Sequence, residues 1–216
     1  MATLLHIDAS ARLTRSHTRT LSKRFVEAWL AQRPGDRVIV RDVGAQAPTP
    51  VSHDWIAAAF TQPERRSAAM HEVLRESDAL VDELESADII VAGVPMYNFG
   101  MPAPMKAYID NIVRVGRTFG FDRSRSGDPY WPLLQGKRLV TLSARGDYGY
   151  EPGQRIAQMN HVEPHLRTAF GYIGITEVQS LAVEYDEFAD ERVRQSLQQA
   201  GNAAERLAIE IANAFE

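Results

Sequence analysis

Residues Ile89, Ile90, Val91, Ala92, Gly93 and Val94 follow one another without a polar side chain among them. A strand with one wet face alternates apolar and polar residues. A strand without alternation has to be covered on both faces, and a parallel sheet sandwiched between helices supplies that cover. The rest of the chain supplies the partners. Strands are predicted over residues 3–8, 37–42, 88–94, 138–143 and 177–183, with amphipathic stretches between them. In residues 16–32, Leu21, Phe25, Ala28 and Trp29 fall on one helical face, and Leu80, Val81 and Leu84 do the same in residues 77–87. The last stretch carries Val193, Leu197, Ala200, Ala204, Leu207 and Ile211 at steps of three and four, a stripe that faces a core rather than a coiled-coil seam.

Five such strands joined by right-handed crossovers make a doubly wound α/β sheet, and the expected strand order is the flavodoxin-like 2-1-3-4-5. That order puts the first and third strands side by side, with a crevice at their carboxyl ends where ligands bind. No repeat or linker divides the 216 residues, so one domain over 1–216 is expected. Residues 45–62, with Pro48, Pro50, Trp55 and Phe60, fit neither period and are expected to be an irregular excursion or a contact between copies.

Charge and composition narrow the function. Twenty-four Lys and Arg against 28 Asp and Glu leave a net charge of -4, too little positive field to hold nucleic acid or an anionic membrane. The chain has no cysteine, which removes disulfides, thiol catalysis and Cys-ligated metals together. An acid at Asp8 comes too early for a signal peptide, and no apolar run approaches the roughly 20 residues of a membrane span, so a cytoplasmic location is expected.

The chemistry should sit in the loops at the strand ends. After the first strand, Ser10, Thr14, Ser16, His17 and Thr18 gather where the chain turns into a helix. A helix start offers unpaired N–H groups and the positive end of a dipole, so these residues suit a phosphate, and they equally suit a plain helix cap. No G-x-G-x-x-G follows this strand, and Trp131 stands where a Walker glycine would have to precede Gly136 and Lys137, so neither a dinucleotide fingerprint nor a P-loop is present. After the third strand come Pro95, Met96, Tyr97, Asn98 and Phe99, with apolar and aromatic groups to wall a flat ring and an amide to meet its polar edge. After the fourth strand, Ser143, Ala144, Arg145 and Gly146 lead a loop rich in glycine and tyrosine that could close the other side. A phosphate site beside two ring sites describes a mononucleotide with a flat ring, and flavin mononucleotide (FMN) fits.

These residues, with Phe170, Gly171, Tyr172, Ile173, Gly174 and Ile175 further on, resemble the FMN-dependent NADH-azoreductases over nearly the whole chain. The run from Met96 to Phe99 is the most specific part. The resemblance implies a flavodoxin-like fold, a homodimer with FMN in each subunit, and two-electron ping-pong reduction of quinones and azo compounds by NADH or NADPH. It implies cofactor contacts at Ser10, Ser16, His17 and Thr18, at Pro95 through Phe99, and at Ser143, Ala144, Arg145 and Gly146. The family segment at the last of these usually reads Ser-Arg-Gly-Gly, so the arginine here is displaced by one. No acid/base dyad is needed when the flavin carries the hydride. Residues 119–134 are longer than is usual in the family, and Phe119, Phe121, Tyr130 or Trp131 from either subunit could sandwich a planar acceptor. Arg12, Arg15 and Arg19 could form a cation cluster near the phosphate. The rival class is a one-electron flavodoxin-type carrier, for which a charge of -4 is mild. His161 and His165 lie four apart, as metal ligands on a helix do, but Pro164 interrupts the turn between them.

Overall fold

The structure, a computed structural model, describes residues 1–215. In chain order the elements are β1 (Thr3–Asp8), α1 (His17–Gln32), β2 (Arg37–Asp42), α2 (His53–Phe60), α3 (Ala68–Ser86), β3 (Ile89–Pro95), α4 (Ala103–Ile112), β4 (Phe119–Phe121), β5 (Tyr130–Pro132), β6 (Arg138–Ala144), α5 (Glu163–Tyr172), β7 (Glu177–Val183) and α6 (Glu191–Ala214). Five strands form one parallel sheet in the order β2-β1-β3-β6-β7, which is the expected 2-1-3-4-5 once the β4–β5 hairpin is set aside.

All seven residues of β3 are buried, as its unbroken apolar run requires, whereas the edge strands β2 and β7 are only partly covered. Alternate side chains of the central strands feed two cores. Leu4, Ile89, Val91, Val140 and Leu142 pack with Leu21, Phe25 and Trp29 of α1 and Ala204, Ala208 and Ile211 of α6. Leu5, Ile7, Ile90, Ala92 and Leu139 pack on the opposite face with Leu80 and Leu84 of α3, Met105 and Tyr108 of α4, and Leu166 and Phe170 of α5. Each large side chain buried this way contributes about 1.5–3 kcal/mol.

Two segments depart from expectation, and a third adds a hairpin outside the sheet. Residues 45–62 are not irregular throughout: Ser52 caps α2, whose Trp55, Ala58 and Ala59 form a satellite core with Leu74. Eight residues are too few for the helical period to stand out. Helix α3 starts at Ala68, well before residue 77, because its first turns face solvent and bury only Leu74. The long segment 119–134 folds as the antiparallel hairpin of β4 and β5, in which Gly120 leaves room for the Trp131 ring.

The hairpin's position has a topological cause. Helices α4 and α5 run back from the carboxyl edge of the sheet, so their last residues lie at its amino edge. Thr118 Oγ1 donates to the Ile112 carbonyl (2.7 Å) at the end of α4, and Leu134 N donates to the Ile173 carbonyl (3.1 Å) at the end of α5. A seven-residue strand spans about 20 Å, so the hairpin sits roughly that far from the carboxyl edge.

Candidate active site

A cleft of about 310 Å³ opens at the carboxyl ends of β1, β3, β6 and β7. A larger hollow of about 560 Å³, lined by Thr49, Trp55, Glu76 and Asn111, lies beside the helices. Size favours the hollow. Position favours the cleft, where loops and a helix start converge at the point at which the sheet's strand order reverses.

The first wall comes from the loop between β1 and α1. Arg15 adopts a left-handed conformation (φ 60°) and swings the chain into α1. Ser16 caps the helix, its Oγ accepting from Arg19 N (3.3 Å) and lying 3.1 Å from Thr18 Oγ1. Ser10, Ser16 and Thr18 are all buried, and no acid occupies the first turn to offset the dipole. Arg19 supports the loop from below: it grips Asp42 with two nitrogens at 2.7 Å and donates to the Ser10 carbonyl at 2.8 Å. Those hydrogen bonds hold the Asp42 carboxyl below its ordinary range. Gly93 is needed here, because a Cβ would stand 2.8 Å from Asp8 Oδ1 and 3.2 Å from the Thr18 carbonyl.

The second wall follows β3. Tyr97 and Gly100 exchange both backbone hydrogen bonds (2.8 and 3.1 Å), which forces Asn98 (φ 48°) and Phe99 (φ 69°) between them into the left-handed region. Asparagine tolerates that conformation and phenylalanine resists it. The Tyr97 hydroxyl accepts from Ala11 N (3.2 Å), joining this wall to the first.

The third wall follows β6. Ala144 and Gly146 line the cleft. Between them the Arg145 side chain is buried, donating to Glu163 (2.7 Å), Glu151 (2.9 Å) and Glu184 (3.2 Å). Burial alone would lower the Arg145 pKa, and the surrounding carboxylates more than reverse it. Burial likewise pushes the Glu163 carboxyl up, but Arg145 outweighs it and holds the group below its usual range. Glu184 also accepts from Gly149 N (3.1 Å) and Tyr150 N (3.3 Å), so one ion cluster fixes the whole loop.

The turn after β7 brings Asp186 and Glu187 to the cleft. Asp186 Oδ1 lies 2.8 Å from His17 Nε2, and Arg12 NH1 donates to Asp186 Oδ2 at 3.4 Å.

A model of the flavodoxin-like fold matches residues 2–207. A protein named FMN-dependent NADH:quinone oxidoreductase 2 from Idiomarina loihiensis is 43% identical across 98% of this chain and 91% of its own. One named FMN-dependent NADH:quinone oxidoreductase from Opitutus terrae is 44% identical across 99% and 100%. The chain belongs to the FMN-dependent NADH:quinone oxidoreductases. Solved structures agree on the fold of this oxidoreductase. An azoreductase from Bacillus anthracis superimposes with a TM-score of 0.86 at 21% identity, covering 97% of this chain and 100% of that one. An FMN-dependent NADH-azoreductase from the same species, solved in complex with FMN, gives 0.85 at 21% identity, covering 98% and 100%.

Of the residues expected at the site of such an oxidoreductase, Ser10, Ser16, His17, Thr18, Pro95, Met96, Tyr97, Asn98, Ala144 and Gly146 line one cleft. Phe99, Ser143 and Arg145 are not among its lining residues: Phe99 is exposed at the rim, and Ser143 and Arg145 are buried. Arg12 reaches the cleft, while Arg15 and Arg19 do not. Asp186 and Glu187 were not anticipated. His161 is exposed ahead of α5, Pro164 sits in that helix's first turn, and the described residues hold no cluster of three metal-ligating side chains.

Proposed function

We propose that the cleft holds FMN and that the protein, acting as one domain over residues 1–216, uses NADH or NADPH to reduce quinones and azo compounds in the cytoplasm by ping-pong two-electron transfer. One observation carries the reading: the start of α1, with no acid in its own first turn and three buried hydroxyls, opens into the same cleft as the left-handed turn at Tyr97–Gly100. The residues fit the cofactor. Ser10, Ser16, Thr18 and the N–H groups of α1 suit a phosphate; Met96, Tyr97 and Asn98 suit a flat ring with a polar edge; the small side chain of Ala144 lets the ring lie close to backbone. FMN, when bound, supplies the carrier that takes two electrons from the nicotinamide and passes them to the acceptor. The protein's own task is to bind, orient and leave one face free. The relatives' printed names, which include an NAD(P)H:quinone oxidoreductase from Pseudomonas aeruginosa 45% identical over 87% of this chain, support an enzyme over a one-electron carrier.

The open face needs a second wall, and the chain cannot supply it from its own hairpin. Phe119, Phe121, Tyr130 and Tyr172 form a cluster with ring centroids 4.8–6.3 Å apart, three of them well exposed, at the amino edge of the sheet. That is about 20 Å from the cleft. Only a second copy can bring it there, which supports a homodimer with each site at the subunit boundary.

Anaerobic stopped-flow mixing of the yellow protein with NADH, then with a quinone, tests the activity. Flavin absorbance should bleach at a rate independent of quinone and return at a rate independent of NADH. A protein that purifies without flavin absorbance, or is bleached by neither NADH nor NADPH, overturns the proposal. A fully active monomer in sedimentation at micromolar concentration removes the dimer.

A further inference from the structure

Two negatively charged side chains face a cleft that must accept a phosphate, and their placement is not casual. Tyr185 (φ 70°) and Ala189 (φ 51°) bracket the turn that carries them, both in the left-handed region that such residues resist. The turn is held in place from several sides. Asp186 N donates to the Arg145 carbonyl (3.2 Å) and Glu187 N to the Gly146 carbonyl (3.1 Å), while Glu187 packs so closely on Gly146 that a Cβ there would collide with it. Tyr148 stacks on Tyr185 with centroids 4.8 Å apart, and Arg192 lies 4.2 Å from the centre of the Phe188 ring. Backbone strain kept against local preference marks a conformation that its surroundings over-determine.

The strained turn delivers a carboxylate to one target. Asp186 Oδ1 sits 2.8 Å from His17 Nε2 and Asp186 Oδ2 within 3.4 Å of Arg12, 169 and 174 positions away in the chain. With Nε2 committed to a carboxylate, the imidazole has one ring nitrogen, Nδ1, left for a ligand. A histidine ring is oriented, and its tautomer chosen, by the partner of its other nitrogen. A bare carboxylate would repel a phosphate. Here it is paired with both Arg12 and His17, so the carboxylate does not meet the cleft unpartnered.

We infer that Asp186 is a positioning residue for phosphate recognition: it holds His17 and Arg12 at the cleft so that the cofactor's phosphate, and not its ring, gains from their alignment. The inference rests on the proposal that FMN binds with its phosphate at the start of α1.

The test compares FMN with riboflavin, which lacks only the phosphate, by equilibrium dialysis of each against the full-length chain. Wild type should prefer FMN strongly. Asp186→Ala should lower that preference about tenfold, the scale of one charge-assisted hydrogen bond, with riboflavin affinity unchanged. Asp186→Asn, which keeps an acceptor for Nε2–H, should recover the preference to within about threefold. In a His17→Ala background, Asp186→Ala should do little more, because the two act as one unit. A wild-type protein indifferent to the phosphate sinks the binding proposal itself. A strong wild-type preference that Asp186→Ala leaves unchanged or increases overturns only the role of Asp186. Equal weakening of FMN and riboflavin also overturns it, by making the turn a general prop.

Discussion

The loops after β3 and β6 border the same cleft, yet they are held by opposite means. After β3 the hold is backbone: two reciprocal hydrogen bonds between Tyr97 and Gly100, with Asn98 and Phe99 strained between them. After β6 it is charge: one buried guanidinium shared among three carboxylates, one of which also anchors two backbone N–H groups. The first device is local, fixed within four residues and indifferent to pH. The second reaches from Arg145 to Glu184, couples three elements and depends on ionisation. The cleft is thus rigid on one side for steric reasons and rigid on the other only while its charges last.

The comparison breaks most visibly at Arg145. Arg145→Met leaves the buried Glu163 carboxylate without its counter-ion and should destabilise the fold by about 3–5 kcal/mol. That corresponds to a fall in melting temperature of roughly 6–20 °C in calorimetry. A loss under 1 kcal/mol would show the cluster to be idle. The next effect is acid sensitivity. Glu163 is more acidic in the folded state than its ordinary value of 4.5. It therefore contributes stability above that value and gives it up as pH falls through the lower folded value. Denaturant unfolding between pH 6 and 3 should weaken less steeply with acid in Glu163→Gln than in wild type. Parallel curves would remove Glu163 from the acid response.

The backbone-held wall should answer to smaller changes. Asn98→Ala loses the amide and places a less tolerant residue at φ 48°. FMN affinity should drop several-fold to tenfold, about one hydrogen bond plus the strain. Asn98→Gly separates the two, since glycine accepts the backbone but has no amide. If the Gly variant binds FMN as wild type does, the amide contributes nothing. Least of all is expected at Ser16, where Ala should cost about 1 kcal/mol of stability through the lost cap. The same change should also narrow the preference for FMN over riboflavin. A Ser16→Ala protein with the wild-type preference would leave Ser16 as a cap alone.

What was legible in the sequence follows from where the signal is stored. Short apolar or β-branched runs between amphipathic stretches are local properties, so the five sheet strands could be expected from residues 3–8 through 177–183; their order came from the flavodoxin-like pattern and not from any one strand. The loop from Pro95 to Phe99 was legible because residue types within one short run carry its chemistry. Helix α2 was not, since eight residues with Ile56 and Phe60 in solvent show no stripe. Arg145 reads as a cleft side chain because a lone arginine in a glycine-rich loop gives no sign of its three acids, which stand 6, 18 and 39 positions further on. Asp186 lay beyond reach for the same reason: its meaning depends on His17, and only the closed sheet brings them together.

The hairpin at the amino edge also bears on inheritance. Under the pairing proposed above, each reaction chamber draws its cofactor floor from one polypeptide and its aromatic roof from the other. A lesion in the phosphate loop and a lesion in the hairpin then fall in separable halves of the function. Two alleles, each silent alone, should complement when co-expressed, since a mixed pair rebuilds one intact chamber out of two.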